Sequence, residues 1–243
     1  MAVDKKMNFV IKIFCDFDGT VTFKDLGDEI FKRFGEFDEL SKMLKSGEID
    51  IKTYWYRITE TLDNKLNTEI IADFAKEFEI DPYFVDFVNF CQERGIELTL
   101  VSDGFREYIE PLLELAGLSA LPLYANKLNF SDKISPEFYG ADESCNCLSA
   151  SCKRNVLLTN SPEEAIIVYI GDGYSDFCAA EHSDIIFAKK FLARYCNDNK
   201  VPHYPFKSFF DVRNIFENVI LAKVKMKQRR AAIVKRKQAF ETE

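Results

Sequence analysis

The sequence lacks long hydrophobic runs, internal repeats and low-complexity linkers. No apolar stretch approaches the roughly 20 residues that a membrane-spanning helix requires, which disfavours an integral membrane protein. The lysine-bearing start of the chain precedes an apolar run of only about seven residues, and because Lys12 interrupts this run it makes a poor signal peptide. We therefore expect a cytoplasmic protein without a membrane partner.

Positive charge is scarce over most of the chain. The net charge is −8, but the segment from Lys223 to Glu243 contains eight lysines and arginines and only two acids, so residues 1–222 carry −14. A body this acidic is poorly suited to wrapping nucleic acid. The pattern of residues 211–240 predicts one long helix, whose terminal basic residues suit the negative end of the helix dipole.

Histidine is rare, and the cysteines are odd in number. His182 and His203 are the only two histidines, and neither has a paired ligand at helical spacing, so we interpret both as structural. Among the seven cysteines, Cys15, Cys91 and Cys178 lie singly in apolar surroundings, as reduced and packed thiols do. This usage agrees with a reducing compartment.

Three further cysteines, Cys145, Cys147 and Cys152, lie close together in the chain. Three thiols at short range could bind zinc, but no fourth ligand is visible and the spacing is not that of a four-cysteine zinc ribbon. We favour free or redox-labile thiols, and a metal site or a disulfide stays open.

Apolar segments that end in polar or acidic loops recur along the chain, at residues 9–15, 96–101 and 165–170. Helical patterns lie between them, and a further short run at 184–188 follows a helix-like segment at 174–181. Strands that alternate with helices predict an α/β fold with a Rossmann-like, doubly wound and mainly parallel sheet. In such sheets ligands bind in the crevice at the carboxyl ends of the strands.

Residues 24–85 have a different pattern, a succession of amphipathic helices. We predict a helical cap there, inserted into an α/β core formed by residues 1–23 and 86–243. The aromatic residues 54–56 are interpreted as packing residues. Arg57 is a candidate substrate contact, although a surface ion pair explains it more simply. Asp25 is interpreted as a helix N-cap.

The sequence from Asp16 to Thr20, Asp-Phe-Asp-Gly-Thr, directly follows the first predicted strand. An Asp-Gly hairpin turn is the rival interpretation, with residues 20–23 as the return strand. Because a turn needs only Asp18 and Gly19, it leaves Asp16 unexplained. Two carboxylates at a strand end instead indicate a site in the crevice.

Two more carboxylates, Asp172 and Asp176, follow the strand at 165–170. With Asp16 they would bring three acids around one point, and such a cluster needs a positive charge that Mg²⁺ can supply. A calcium-binding EF-hand is excluded because positions 6 and 12 counted from Asp16 hold Val21 and Gly27 instead of glycine and glutamate.

Four motifs in order resemble those of the haloacid dehalogenase superfamily of phosphatases. They are the Asp16 motif, Ser102 after a strand, Lys153 at a helix start, and Gly171-Asp172-Gly173-Tyr174-Ser175-Asp176 after a strand. The helical insertion after the first motif, at the C1 position, resembles the phosphoserine-phosphatase-like branch. Residues 187–189, residues 203–206 and the cysteine-rich stretch resemble the phosphatases of methionine salvage.

The resemblance implies a phosphomonoesterase that acts on a small phosphorylated metabolite. Asp16 would attack phosphorus to give an aspartyl phosphate, and Asp18 would act as general acid and base. Mg²⁺ would be held by Asp16, the main-chain carbonyl of Asp18 and Asp172, with Asp176 close by or bound through water.

The resemblance also implies a phosphate cradle, formed by Ser102, Asp103, Gly104 and Lys153, with main-chain N–H groups contributing from the loop. A phosphotransferase or mutase that uses the same aspartyl phosphate is the enzymatic alternative. A protein that only binds phosphate or metal is the non-enzymatic one. The substrate and the oligomeric state cannot be inferred from the sequence.

Overall fold

Seven strands form one sheet in the part of the chain that the computed structural model describes, residues 10–140, 145, 147, 149–223 and 225–229. They are β1 (Ile11–Cys15), β2 (Glu97–Phe105), β3 (Leu123–Phe130), β4 (Ile134–Glu137), β5 (Ile166–Gly171), β6 (Ile185–Ala188) and β7 (Tyr204–Pro205). The order across the sheet is β4-β3-β2-β1-β5-β6-β7, and every neighbouring pair is parallel except β3 and β4. The predicted mainly parallel α/β sheet is confirmed.

The central strands β1 and β5 are apolar because both faces of the sheet are covered, as parallel sheets require. Ile13 and Cys15 belong to the core cluster on one side. Phe14 and Tyr169 belong to a second cluster on the other side. Every residue of β5 is buried, so the two strands whose ends carry the predicted aspartates form the rigid centre of the fold.

Helices connect these strands. Between β1 and β2 lie α1 (Leu26–Phe34), α2 (Phe37–Ser46), α3 (Ile51–Glu60), α4 (Thr68–Ala75) and α5 (Phe84–Glu93). Further along come α6 (Arg106–Leu115), α7 (Lys153–Thr159), a 3-10 turn (Tyr174–Asp176), α8 (Phe177–Glu181), α9 (Lys190–Asp198), α10 (Phe209–Ile215) and a π-helical turn (Phe216–Ile220). None of the helices in the described ranges combines the length and apolarity that crossing a membrane demands.

The insertion of α1 to α4 leaves and rejoins the sheet through two paired segments. Thr22 forms an antiparallel bridge with Ile80, and the Asp81 main-chain N–H donates to the Val21 carbonyl at 2.8 Å. No hairpin forms after β1, since the chain passes from Gly19 into this stem. The insertion packs onto the α/β core through aromatic contacts, including that of Trp55 with Phe105, whose ring centroids lie 5.1 Å apart.

The predicted long helix over residues 211–240 is wrong. Helical structure is interrupted after a turn at Leu221 and Ala222: residues 223 and 225–228 are not helical, Arg229 is helical again, and residues 230–240 lie outside the described part. The chain then contacts the core through Arg229, whose guanidinium donates to the carbonyls of Ala180 and Ser183, each at 2.7 Å. These carbonyls lie at and just beyond the carboxyl end of α8, where a cation is favoured by the helix dipole.

Candidate active site

Asp16 and Asp172 lie side by side because their strands, β1 and β5, are parallel neighbours. The main-chain N–H of Asp16 donates to the carbonyl of Ile170 at 2.9 Å. Both carboxylates are buried, and together with Asp176 each offers an oxygen within 4.8 Å of the others. The predicted meeting of three acids at the sheet edge is present in the structure.

Lys153 lies between two of these acids. It is the first residue of α7, and its Nζ lies 2.6 Å from both Asp16 Oδ1 and Asp176 Oδ1. Although burial acts to lower the pKa of Lys153, the carboxylates of Asp16 and Asp176 raise it well above its usual value. The lysine therefore stays charged at 1% exposure of its side chain.

Burial also raises the pKa of Asp16, and the nearby Asp176 carboxylate adds to this effect while Lys153 opposes it. Desolvation and like charge both disfavour the ionised form. An anionic Asp16 therefore needs more positive charge than Lys153 alone supplies.

The Asp176 carboxylate is saturated with donors. Besides Lys153, it accepts from the Tyr169 hydroxyl at 2.5 Å and from the main-chain N–H groups of Asp172 and Gly173 at 2.8 and 2.9 Å. A carboxylate has about four lone-pair sites, so these four donors fill its capacity. The close approach also explains Gly171, since a Cβ there would lie 2.5 Å from Asp176 Oδ2.

Asp172 is held from the other side. Lys190 Nζ donates to its Oδ2 at 2.8 Å and to the carbonyl of Gly19 at 3.1 Å, and the Thr20 hydroxyl donates to its Oδ1 at 3.2 Å. Burial raises the pKa of Asp172, with a further contribution from Asp176, and Lys190 opposes the shift. Three acids thus face two lysines, which leaves the cluster one positive charge short.

Asp18 lies two residues beyond Asp16 in a separate hydrogen-bond network. Its Oδ2 accepts from the Tyr108 hydroxyl at 2.7 Å and from the Ser102 hydroxyl at 3.4 Å, and its Oδ1 accepts from the Leu26 main-chain N–H at 3.0 Å. Burial raises the pKa of Asp18 to about 8, with a further contribution from Asp25. This shift favours the protonated form of the carboxyl near neutral pH, which is the form that a general acid needs.

The loop with Ser102 is part of an extended β2. This strand runs on to Phe105 instead of ending at Val101, and its register against β3 shifts between these residues. Ser102 Oγ accepts from the main-chain N–H of Gly104 at 3.0 Å. The Asp103 carboxylate accepts from the N–H groups of residues 150 and 151, each at 3.2 Å, so its side chain fastens the loop before Lys153.

Other candidate residues lie apart from this cluster. Arg57 is exposed on α3, where its guanidinium lies 4.0 Å from Met43 Sδ, and the structure does not bring it to the acids. Asp25 caps α1 by accepting from the Asp28 main-chain N–H at 2.9 Å. His182 pairs through Nδ1 with a main-chain carbonyl within α8, as a structural histidine would.

Sequence reasoning missed four residues of the network. Lys190 follows the carboxyl end of β6, at the sheet edge where the aspartates lie, so its position could have indicated it. Thr20 is part of the Asp16 motif but carried no assigned role. Tyr108 and Tyr169 have no sequence signal, because one lies in an amphipathic helix and the other in a buried strand.

Comparison with known proteins identifies the family. Residues 13–181 match the model of the haloacid dehalogenase-like hydrolases. The chain belongs to this family. Two relatives of this haloacid dehalogenase-like hydrolase are named 2-hydroxy-3-keto-5-methylthiopentenyl-1-phosphate phosphatase. The protein from Brevibacillus brevis is 32% identical over 88% of this chain and 98% of its own length, and that from Bacillus cytotoxicus is 29% identical over 88% and 99%.

A solved structure, a phospho-aspartyl intermediate analogue of phosphoserine phosphatase, shares the fold of this haloacid dehalogenase-like hydrolase. It aligns with a TM-score of 0.65 at 21% identity, over 86% of this chain and 98% of its own. The predicted superfamily, its phosphoserine-phosphatase-like fold and the resemblance to the methionine-salvage phosphatases are confirmed. So is the predicted enzyme class, a phosphoric monoester hydrolase.

Proposed function

We propose that the chain is a Mg²⁺-dependent phosphomonoesterase that transfers the phosphoryl group of a small metabolite to Asp16 and then to water. One observation carries this proposal. Asp16 lies buried against Lys153, while Asp18, two residues on, lies in a separate hydrogen-bond network with Tyr108, in which burial raises its pKa to about 8. Two carboxyl groups with different environments suit two different roles, one as nucleophile and one as acid and base.

In the first half-reaction, an oxygen of Asp16 forms a bond to phosphorus while the bond to the leaving oxygen breaks. Asp18 gives its proton to that oxygen, which leaves as an alcohol or enol. In the second half-reaction, Asp18 takes a proton from water, whose oxygen attacks phosphorus and releases Asp16 with inorganic phosphate. The pKa of Asp18, about 8, lies near neutral pH, where proton transfer in both directions is efficient.

The phosphoryl oxygens would be bound by Lys153, by the Ser102 hydroxyl and by the main-chain N–H of residue 103. The Gly104 N–H would join them by leaving its bond to Ser102 Oγ. Lys153 already points at Asp16, so it lies where charge develops during transfer. Because the side chain of Asp103 is engaged with residues 150 and 151, only its main chain would take part.

The donor set fits Mg²⁺. Asp16 and Asp172 offer buried carboxylate oxygens, hard ligands of the kind that Mg²⁺ prefers, and the cluster is one positive charge short. We propose that Asp16, Asp172 and the main-chain carbonyl of Asp18 hold the ion. Asp176, whose four acceptor sites are filled, would orient Lys153 instead of binding the metal directly. When bound, Mg²⁺ supplies positive charge to the transferring phosphoryl group.

Residues 24–85 would act as the cap over this site, with residues 1–23 and 86–243 as the core. The contact of Trp55 with Phe105, and that of Phe31 with Phe105 at 6.4 Å between centroids, support this division because they join the insertion to the end of β2. A cap at this position would exclude water from the aspartyl phosphate. The cap would also select the substrate.

We propose an enol phosphate of the methionine-salvage type as the substrate. The names of the two relatives support this choice. Phosphoserine is the alternative, and its ammonium group would need a free acid from the cap. Asp25 stands near that position, but its carboxylate already caps α1 by accepting from the Asp28 main-chain N–H at 2.9 Å, so only part of its accepting capacity is left for an ammonium group.

Phosphate release from three esters, measured with the full chain and Mg²⁺, tests this proposal. We expect kcat/KM for 2-hydroxy-3-keto-5-methylthiopentenyl-1-phosphate to exceed that for phosphoserine and p-nitrophenyl phosphate by at least about tenfold, or about 1.4 kcal/mol. The Asp16→Asn protein, purified in parallel, controls for a contaminating phosphatase. Equal kcat/KM values for the three esters would refute only the proposed substrate. The absence of hydrolysis of all three would refute the proposed phosphatase activity. Transfer to an added alcohol in preference to water would indicate a phosphotransferase.

A further inference from the structure

Four cysteine sulfurs meet outside the acidic cluster. Cys145, Cys147, Cys152 and Cys178 each place Sγ within 4.8 Å of the other three. The sequence pattern predicts Cys178 to be a singly packed thiol, and this is wrong, since its Sγ lies 3.8 Å from that of Cys145 and 3.9 Å from that of Cys152. Cys178 is the fourth ligand that the sequence does not reveal.

Two of the six sulfur separations equal those of a metal-thiolate tetrahedron, and all six are within 4.8 Å. A disulfide holds its sulfurs about 2.05 Å apart, so these thiols are not bonded to one another. Four sulfurs at the corners of a tetrahedron, each about 2.3 Å from a central zinc ion, lie about 3.8 Å from each other. The separations of 3.8 and 3.9 Å match this value.

The four ligands come from chain segments before and after β5. Cys152 immediately precedes α7 and Cys178 lies in the first turn of α8. The loop before Cys152 is fastened by Asp103, which accepts from two of its N–H groups, and by the Ser151 hydroxyl, which accepts from the Gly140 N–H at 3.2 Å. Cys152 is buried and the other three cysteines are half-buried. The anchored residues 140, 150 and 151 therefore fix the chain close to Cys152.

The charge around the cluster also suits a metal bound by thiolates. Four thiolates with one Zn²⁺ carry a net charge of about −2, and the guanidinium of Arg154 lies beside them. The positive charge of Arg154 interacts with all four cysteines. Sulfur ligands select zinc and oxygen ligands select magnesium, so this cluster and the aspartate cluster would not compete for one ion.

We propose that Cys145, Cys147, Cys152 and Cys178 bind one structural Zn²⁺ ion. The ion would join the loop before α7 to the start of α8. Lys153 is the neighbour of Cys152, and Asp176 lies two residues before Cys178, so the metal would also hold together the two elements that carry the 2.6 Å contact between Lys153 and Asp176. The proposal of a zinc site does not rest on the proposed phosphatase chemistry.

Metal content of the full chain tests the proposal. Protein produced in zinc-supplemented medium and purified under reducing conditions without chelator is analysed by mass spectrometry of the elements. We expect about one zinc per chain that survives dialysis against Mg²⁺. Cys178→Ser and Cys152→Ser should lose most of it and melt at a lower temperature. Cys91→Ala, which removes a buried thiol of α5 outside the cluster, should keep the zinc.

A second measurement uses only the wild-type protein, so it does not depend on whether a variant folds. Wild-type protein stripped by a chelator is titrated with Co²⁺ under anaerobic, reducing conditions. Visible absorption typical of tetrahedral cobalt thiolate should saturate at about one equivalent and disappear when Zn²⁺ is added. Absence of both bound zinc and this absorption would overturn the proposal. So would the finding that the four cysteines are disulfide-bonded, or are all free thiols, in protein produced with zinc and purified under reducing conditions.

Discussion

The hydroxyl of Tyr108 controls the protonation of the proposed general acid. It donates to Asp18 Oδ2 at 2.7 Å and is buried, so no bulk water can replace it freely. The donated hydrogen bond favours the charged carboxylate, and its removal therefore favours the protonated form. We predict that Tyr108→Phe raises the pKa of Asp18 above its present value of about 8.

The size of the shift follows from the energy of the lost bond. A hydrogen bond to a charged group contributes about 1.5–3 kcal/mol, and one pKa unit corresponds to about 1.4 kcal/mol. The pKa of Asp18 should therefore rise by about 1–2 units. Because the acid must be protonated to release a poor leaving group, kcat/KM falls as the pH rises through this pKa. The falling limb of the profile should move to higher pH by the same amount.

The assay is phosphate release from an alkyl or enol phosphate across pH 6 to about 11 with Mg²⁺ constant. p-Nitrophenyl phosphate, whose leaving group needs less protonation, should show a smaller shift. Tyr124→Phe is the matched control, because it removes a hydroxyl that bonds Asn160 at 2.9 Å, away from Asp18. A limb that stays in place in Tyr108→Phe, or moves to lower pH, would refute the role of Asp18.

Three further predictions concern the same site. Gly104→Ala should lower kcat/KM about 100-fold, because its Cβ would lie 1.8 Å from the Tyr108 hydroxyl. Gly173→Ala, whose Cβ would have its nearest contact at 3.9 Å, should lower kcat/KM far less. Similar decreases in kcat/KM for the two variants would contradict this prediction. Lys153→Met should lower the free energy of unfolding in urea by about 3–5 kcal/mol at neutral pH. The pKa of Asp16 is raised in the folded state, so this loss should shrink as the pH falls towards about 3, where Asp16 is protonated in both the folded and the unfolded state; a loss that grows on acidification would count against the pair. EDTA should abolish phosphate release and Mg²⁺ should restore it, and turnover without metal would rule out the proposed cation.

The strand positions could be predicted because apolar runs bounded by polar loops define buried strands. The run at 165–170 differs from β5 (Ile166–Gly171) by one residue at each end. The antiparallel pair of β3 and β4 has no comparable signal, since its residues are partly exposed and polar. The long C-terminal helix was expected from residues that favour helices, but residues 223 and 225–228 are not helical, and the side chains of Gln228 and Arg229 fasten this part of the chain to core carbonyls.

The aspartates of the site could be predicted because motif and strand end coincide in the sequence. The hydrogen-bond partners of these aspartates could not be predicted. Tyr169 contacts Asp176, and Lys190 contacts Asp172, only because the turn after β5 and the end of β6 fold together. Cys178 lies 26 residues after Cys152, beyond β5 in the chain, so the contact between their sulfurs exists only in the tertiary structure.

Trapping the covalent intermediate identifies the nucleophile. Wild-type enzyme turning over its substrate is quenched in acid, digested and analysed by mass spectrometry. The account predicts the mass of one phosphoryl group on the peptide that contains Asp16, at that residue, and neither the adduct nor turnover in Asp16→Asn. Phosphorylation of another residue, or turnover by Asp16→Asn at the wild-type rate, would contradict it.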